Sequence, residues 1–166
     1  MSYHVIVSSE TPFATFEYDF LTYRYIASRI KPGIITLPDG VRVTDTERTI
    51  IDGINDFEKV MGLEELLRCI ELLPLVNEER LLSYLAVYRK QVLYQKVGYI
   101  LEHFRDSWNL SGGFFTSCET HIGKSKRYLY NSPIRDNMVL NSRWRLVVPR
   151  DISRITSKGV HYNADI

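Results

Sequence analysis

The densest run of groups able to do chemistry is Val43-Thr44-Asp45-Thr46-Glu47-Arg48-Thr49-Ile50-Ile51-Asp52. It gathers three carboxylates, one guanidinium and three hydroxyls within ten residues. On a helix, Arg48 and Asp52 lie one turn apart and form an i,i+4 ion pair. Thr44 and Glu47 have the spacing of a capping box, with Thr44 or Asp45 as the N-cap. The plainest reading is a well-capped helix anchored to whatever precedes it.

Other chemistry is thinner. His4, His103, His121 and His161 are scattered, and Cys118-x-x-His121 offers two ligands where zinc takes three or four. No metal and no cofactor is expected. No G-x-S-x-G elbow marks a nucleophile, although a triad that meets only in the fold leaves no local trace. Gly112-Gly113 could open a helix toward an anion, but it lacks the phosphate-loop pattern and reads as a loop and cap. Pro38-Asp39 resembles the start of a metal-dependent nuclease motif, yet no Lys has an acid two positions before it. Pro38-Asp39-Gly40 is therefore read as a turn. The pairs Glu64-Glu65 and Glu78-Glu79 suit helix first turns or solvated faces. The chain is not expected to be an enzyme.

These residues must be positioned by elements that the pattern also outlines. Residues 3–7 make a short apolar strand, and Phe13, Phe16, Tyr18 and Phe20 form an aromatic stretch able to pair with it. Residues 23–26 alternate, and 34–37 with 41–43 form a hairpin about the Pro38-Asp39-Gly40 turn. Helical spacing begins at Ile50, Ile51 and Ile54 and resumes over 63–73 until Pro74. Asn77 caps a third helix with Leu81, Leu82, Leu85 and Tyr88 on its apolar face. A fourth, about 91–104, turns Leu93, Val97, Leu101 and Phe104 inward. Gly98 in its middle loses ~1 kcal/mol against Ala and predicts close helix packing there. Phe114, Phe115, Cys118 and Ile122 suggest a short helix. Residues 127–130 and 144–148 read as two late strands divided by a polar loop.

The expected fold is thus α+β: a small antiparallel β region at the N-terminal end, a central cluster of four to five helices, and two C-terminal strands. One domain is expected over 1–155, with 156–166 as a flexible tail.

The signature Val-Thr-Asp-x-Glu-Arg-Thr-Ile-Ile-Asp of residues 43–52 resembles a segment of the AbiEi family. The resemblance extends to Leu82-Ser83-Tyr84, to Val97-Gly98-Tyr99-Ile100-Leu101-Glu102, and to Trp144-Arg145-Leu146-Val147-Val148. AbiEi proteins are antitoxin-type transcriptional regulators of abortive-infection (type IV) toxin–antitoxin systems, which act in viral defence. Their C-terminal domain is associated with opposing a nucleotidyltransferase-type toxin, and a winged helix-turn-helix before it binds operator DNA. This chain opens directly on the Tyr3-His4-Val5 strand, so the resemblance is to the C-terminal domain only. The helix-turn-helix is expected to be absent from this chain. Asp45, Glu47, Arg48, Asp52 and Gly98 are the family-signature positions here, and their expected role is structural.

Composition sharpens the partner question. With 45% hydrophobic and 25% charged residues the chain falls in the ordinary globular range, and a net charge of +1 excludes a uniform polycation. The charge is unevenly spread. Residues 1–123 carry 12 basic and 17 acidic side chains, whereas 124–158 carry nine basic and two acidic. Within that closing segment Lys124, Lys126, Arg127, Arg143, Arg145 and Arg150 are candidate phosphate contacts, with Tyr128, Tyr130 and Trp144 as stacking surfaces. The competing reading pairs these bases with acids of the helical middle. Expected partners are duplex DNA and a nucleotidyltransferase-type toxin. A protein-interaction module without DNA binding is the alternative, and an enzyme with no sequence-local motif comes last. Cys69 and Cys118, both read as lying in apolar helical surroundings, suit a reducing compartment. No signal peptide or apolar run of ~18 residues is present, so a cytoplasmic, membrane-free protein is expected.

Overall fold

A computed structural model describes residues 3–27, 30–131 and 137–152. It is α+β, with strands at both ends and helices between. The proposed tail at 156–166 lies outside the described residues.

Strands β1 (Tyr3–Ser9), β2 (Phe16–Tyr18) and β3 (Leu21–Ala27) form one sheet in the order β1-β3-β2. The aromatic stretch pairs with β3 and not with β1, and β1 runs parallel to β3, so this region is not wholly antiparallel. The cause is the turn at Asp19 and Phe20, whose φ values of 48° and 63° are both positive. With Tyr18 opposite Leu21, these two residues make the two-residue connection that matches strand twist. Asp-Phe is not the usual Asn-Gly signal, so the hairpin left little mark in the sequence. Strands β4 (Ile34–Thr36) and β5 (Arg42–Thr44) form the expected antiparallel hairpin. Its turn is closed by Leu37 N–H to the Val41 carbonyl at 2.8 Å, and the Asp39 carboxylate accepts from Val41 N–H at 3.0 Å.

Helices α1 (Thr46–Asn55), α2 (Leu63–Glu71), α3 (Glu78–Tyr88), α4 (Gln91–Glu102) and α5 (Gly112–Thr120) follow. Their apolar stripes meet in a core that includes Ile51, Ile54, Leu67, Leu81, Leu85 and Val97. The one-sided stripe expected for α4 is too narrow. Every residue from Leu93 to Leu101 is buried, Gln95 and Lys96 included, because α1, α3, α5 and the C-terminal sheet all pack on this helix. Cys118 is buried, whereas Cys69 is exposed on the outer face of α2, contrary to the apolar setting expected for it.

The chain closes with β6 (Arg127–Tyr128), β7 (Met138–Asn141) and β8 (Leu146–Pro149) in the order β6-β8-β7. Two late strands were expected, and β7 is the addition. Met138-Val139-Leu140 is a short apolar run behind a positive-φ Asn137, and it pairs antiparallel with β8. Trp144, expected in the strand, lies in the turn between β7 and β8.

Candidate functional site

Asp45, Glu47, Arg48 and Asp52 fold into one polar cluster at the start of α1. Asp45 is the N-cap, and its Oδ1 accepts from Arg48 N–H at 2.8 Å. The capping box does not form. Thr44 Oγ1 bonds to Thr49 Oγ1 at 2.7 Å, and Glu47 leaves its own helix to accept from Asn77 N–H at 2.8 Å. Glu47 thereby joins α1 to the entry of α3.

Arg48 is 1% exposed. Its Nε donates to Asp52 Oδ1 at 2.7 Å, and its Nη1 donates to the carbonyls of Pro32 at 2.7 Å and Ile30 at 3.3 Å. Burial alone would lower the guanidinium pKa, but the hydrogen bond and charge of Asp52 carry it above the ordinary value. From α3, Tyr84 OH donates to Asp45 Oδ2 at 2.5 Å and Tyr88 OH donates to Asp52. Burial, then the bond to Asp45, pushes the Tyr84 hydroxyl up to about 12, and the same two causes with Asp52 raise Tyr88. Gly33 lets the hairpin approach this cluster. Its φ is +80°, and a Cβ there would fall 2.8 Å from Arg48 Cβ and 2.9 Å from the Tyr84 ring.

The cluster therefore holds three elements together: the run into the hairpin, α1 and α3. Burying an ion pair is tolerable when hydrogen bonds saturate it, as the Pro32 and Ile30 carbonyls and the Tyr88 hydroxyl do here. Its carboxylates are all engaged by protein donors, which fits positioning better than proton transfer. Neither Tyr84 nor Tyr88 was foreseen as part of it; hydroxyls at 84 and 88 on one helix face were the available signal.

A second joint forms at Gly98. Trp144 lies fully buried against it, and a Cβ on Gly98 would fall 2.1 Å from the indole ring. The close packing expected at this glycine is real, but the partner is an indole from a turn and not another helix. Trp144 Nε1 donates to Glu102 Oε2 at 2.8 Å, and Gln95 Nε2 donates to the Trp144 carbonyl at 3.0 Å. Arg143 bridges Glu102 and Glu119 and lies over the Trp144 ring. Hydrogen bonding to Glu119 raises its pKa, outweighing the smaller lowering by burial.

The remaining closing-segment cations stand differently. Lys124, Lys126, Arg127, Arg145 and Arg150 are exposed, and among the described residues none has an ion-pair partner. Arg143 takes the acid-paired role that the competing reading assigned to the segment as a whole. Of the aromatic side chains, Tyr128 is exposed while Trp144 and Tyr130 are buried, so only Tyr128 can stack on a ligand. Among the described residues no three His, Cys, Asp or Glu side chains gather as a metal-ligand set, and no helix is long and apolar enough to cross a membrane. His121 is stacked on Tyr94 at 4.3 Å, and Cys118 is buried with its thiol pushed up to about 12.

In comparisons with known proteins, the chain matches no family model, no curated protein and no solved structure.

Proposed function

We propose that this chain is a non-enzymatic, antitoxin-type regulatory domain of the AbiEi kind, acting in the cytoplasm by binding. The observation that carries the reading is the way its four resembling segments meet. Tyr84, from Leu82-Ser83-Tyr84, bonds Asp45 of the signature run. Glu102 and Gly98, from the Gly-Tyr helix, clasp Trp144 of the closing segment. A pattern scattered through the sequence thus meets pairwise in two scaffold joints, and much of the charge left over is on the surface.

That surface chemistry is cationic at the closing end. Lys126, Arg127, Arg145 and Arg150 are exposed and suit phosphate contacts to duplex DNA, which strengthen as salt falls. The decisive experiment is co-expression with a nucleotidyltransferase-type toxin. The chain should relieve growth inhibition, and unrelieved inhibition sinks the antitoxin reading. A gel shift on upstream duplex DNA tests the DNA contact separately. It should be salt-sensitive and weakened by the double substitution Arg145→Ala/Arg150→Ala.

A further inference from the structure

Between the start of α4 and β6 lies a groove of about 530 Å³ lined by Lys90, Gln91, Arg127, Tyr128 and Asn131. That volume is within the ~300–1,000 Å³ usual for small-ligand sites. Arg127 brings an exposed cation to it from the β6 side, and exposed Lys90 lines it from the α4 side, its ammonium donating to Asn55 Oδ1 at 3.1 Å and reachable by rotation of an exposed side chain. The twelve-residue α4 starts here with no side-chain cap and no acidic residue in its first turn. Helices α1, α3 and α5 are instead capped by Asp45, Asn77 and Ser111, and α2, which also lacks a side-chain cap, carries Glu64 and Glu65 in its first turn. The positive dipole end of α4, without a side-chain cap, thus adds to the two cations.

A separate observation adjoins the lining residue Asn131. Lys96 is 3% exposed, and its Nζ points to the lining residue Asn131, donating to Oδ1 at a long 3.4 Å. Its other close contact is the Phe57 ring, 5.3 Å below the ammonium. No carboxylate of the described residues lies within ion-pair distance, and Asp56 and Glu58 act on it only from farther away. Burial lowers its pKa accordingly. A buried ammonium without a counter-charge is costly, and an anion seated at Asn131 would supply one. At the rim, Tyr128 is 55% exposed on an edge strand and offers a ring face.

We propose that this groove binds a nucleotide unit, its phosphate held by Lys90, Arg127 and the α4 N-terminus near Lys96, its base stacked on Tyr128. The unit belongs either to a single strand of nucleic acid or to a free nucleotide. The inference extends the binding-domain reading to a defined site, yet toxin relief and groove binding can fail independently.

The test is fluorescence anisotropy of a labelled short thymidine oligomer at low salt, with ATP and inorganic phosphate as competitors. Tyr128→Ala should weaken binding about 5- to 150-fold while Tyr128→Phe retains it, the range expected for one stacked base. Lys90→Ala and Arg127→Ala should each lower the logarithmic salt slope by about 0.7. Lys96→Met should fold at least as stably as the parent and still bind more weakly. ATP competing as well as unlabelled oligomer assigns the site to free nucleotides; an oligomer that resists ATP assigns it to the strand. Absence of binding by both probes at low salt overturns the proposal. So does binding that Tyr128→Ala, the Lys90→Ala/Arg127→Ala pair and a folded Lys96→Met all leave intact.

Discussion

Substituting Gly98 by Ala adds a single methyl group at the tightest of the glycine contacts among the described residues. The new Cβ would sit 2.1, 2.3 and 2.5 Å from three atoms of the Trp144 ring, where ordinary contact is 3.4–4 Å. The ring must therefore retreat by more than an ångström, and it is poorly free to do so. Trp144 is fully buried, its Nε1 is tied to Glu102, and its backbone N–H donates to Asn141 Oδ1 at 3.0 Å. Overpacking of this kind loses ~1–3 kcal/mol. Breaking the charged hydrogen bond to Glu102 loses ~1.5–3 kcal/mol more. The better helix propensity of Ala returns ~1 kcal/mol. The net expectation is a loss of about 1.5–5 kcal/mol, and a mid-range loss of about 3 kcal/mol corresponds to a Tm lower by roughly 6–12 °C for a chain of this size. Urea unfolding followed by tryptophan fluorescence measures it, with the m-value checked for constancy. In a Trp144→Ala background the same substitution meets no ring and should become stabilising by ~1 kcal/mol. A neutral Gly98→Ala, or a penalty that persists without the indole, refutes the reasoning.

Further outcomes are expected from the two joints and the buried thiol. Arg48→Met removes one partner of a buried pair and should destabilise by about 3 kcal/mol, the low end for such losses because Asp52 is part-exposed and keeps Tyr88; equilibrium unfolding checks it. Raised pKa values mean that the folded chain keeps protons the unfolded chain releases, so stability should fall as pH rises from 9.0 toward 12, the interval over which burial lifts Cys118 to about 12. The slope from this one group is at most ~1.4 kcal/mol per pH unit, and Cys118→Ala should flatten the stability–pH curve by up to that amount. A thiol reagent should label exposed Cys69 in the native state and reach Cys118 only on unfolding, which mass spectrometry of labelled peptides resolves.

How far these features were legible follows the physics of each. Periodicity located the helices well, because apolar stripes such as Leu63, Leu66, Leu67 and Ile70 repeat at helical spacing and are buried as one face. It failed for α4, where burial on every side places Gln95 and Lys96 among apolar residues and only tertiary contacts explain them. The β1–β3 pairing was invisible because strand order depends on where the crossing connection lands, and Asp19-Phe20 disguises its turn. In the polar cluster, Asp45, Arg48 and Asp52 could be placed from local spacing. Pairing of Glu47 with Asn77, of Asp45 with Tyr84 and of Gly98 with Trp144 joins residues distant in sequence, and spacing within one element carries no record of that. The charge count found the basic closing segment but not its division: Arg143 is tied to two carboxylates while Arg145 and Arg150 face outward.

The central claim is that the signature residues are scaffold and that the chain acts by binding, in opposition to a toxin. Growth of cells expressing a nucleotidyltransferase-type toxin, with and without this chain, tests it most directly. Growth should be restored by the native chain, and still restored by an Asp52→Asn variant shown to fold, because the role proposed for that carboxylate is a scaffold role. Inhibition that persists with the native chain, or rescue that a folded Asp52→Asn protein loses, contradicts the account.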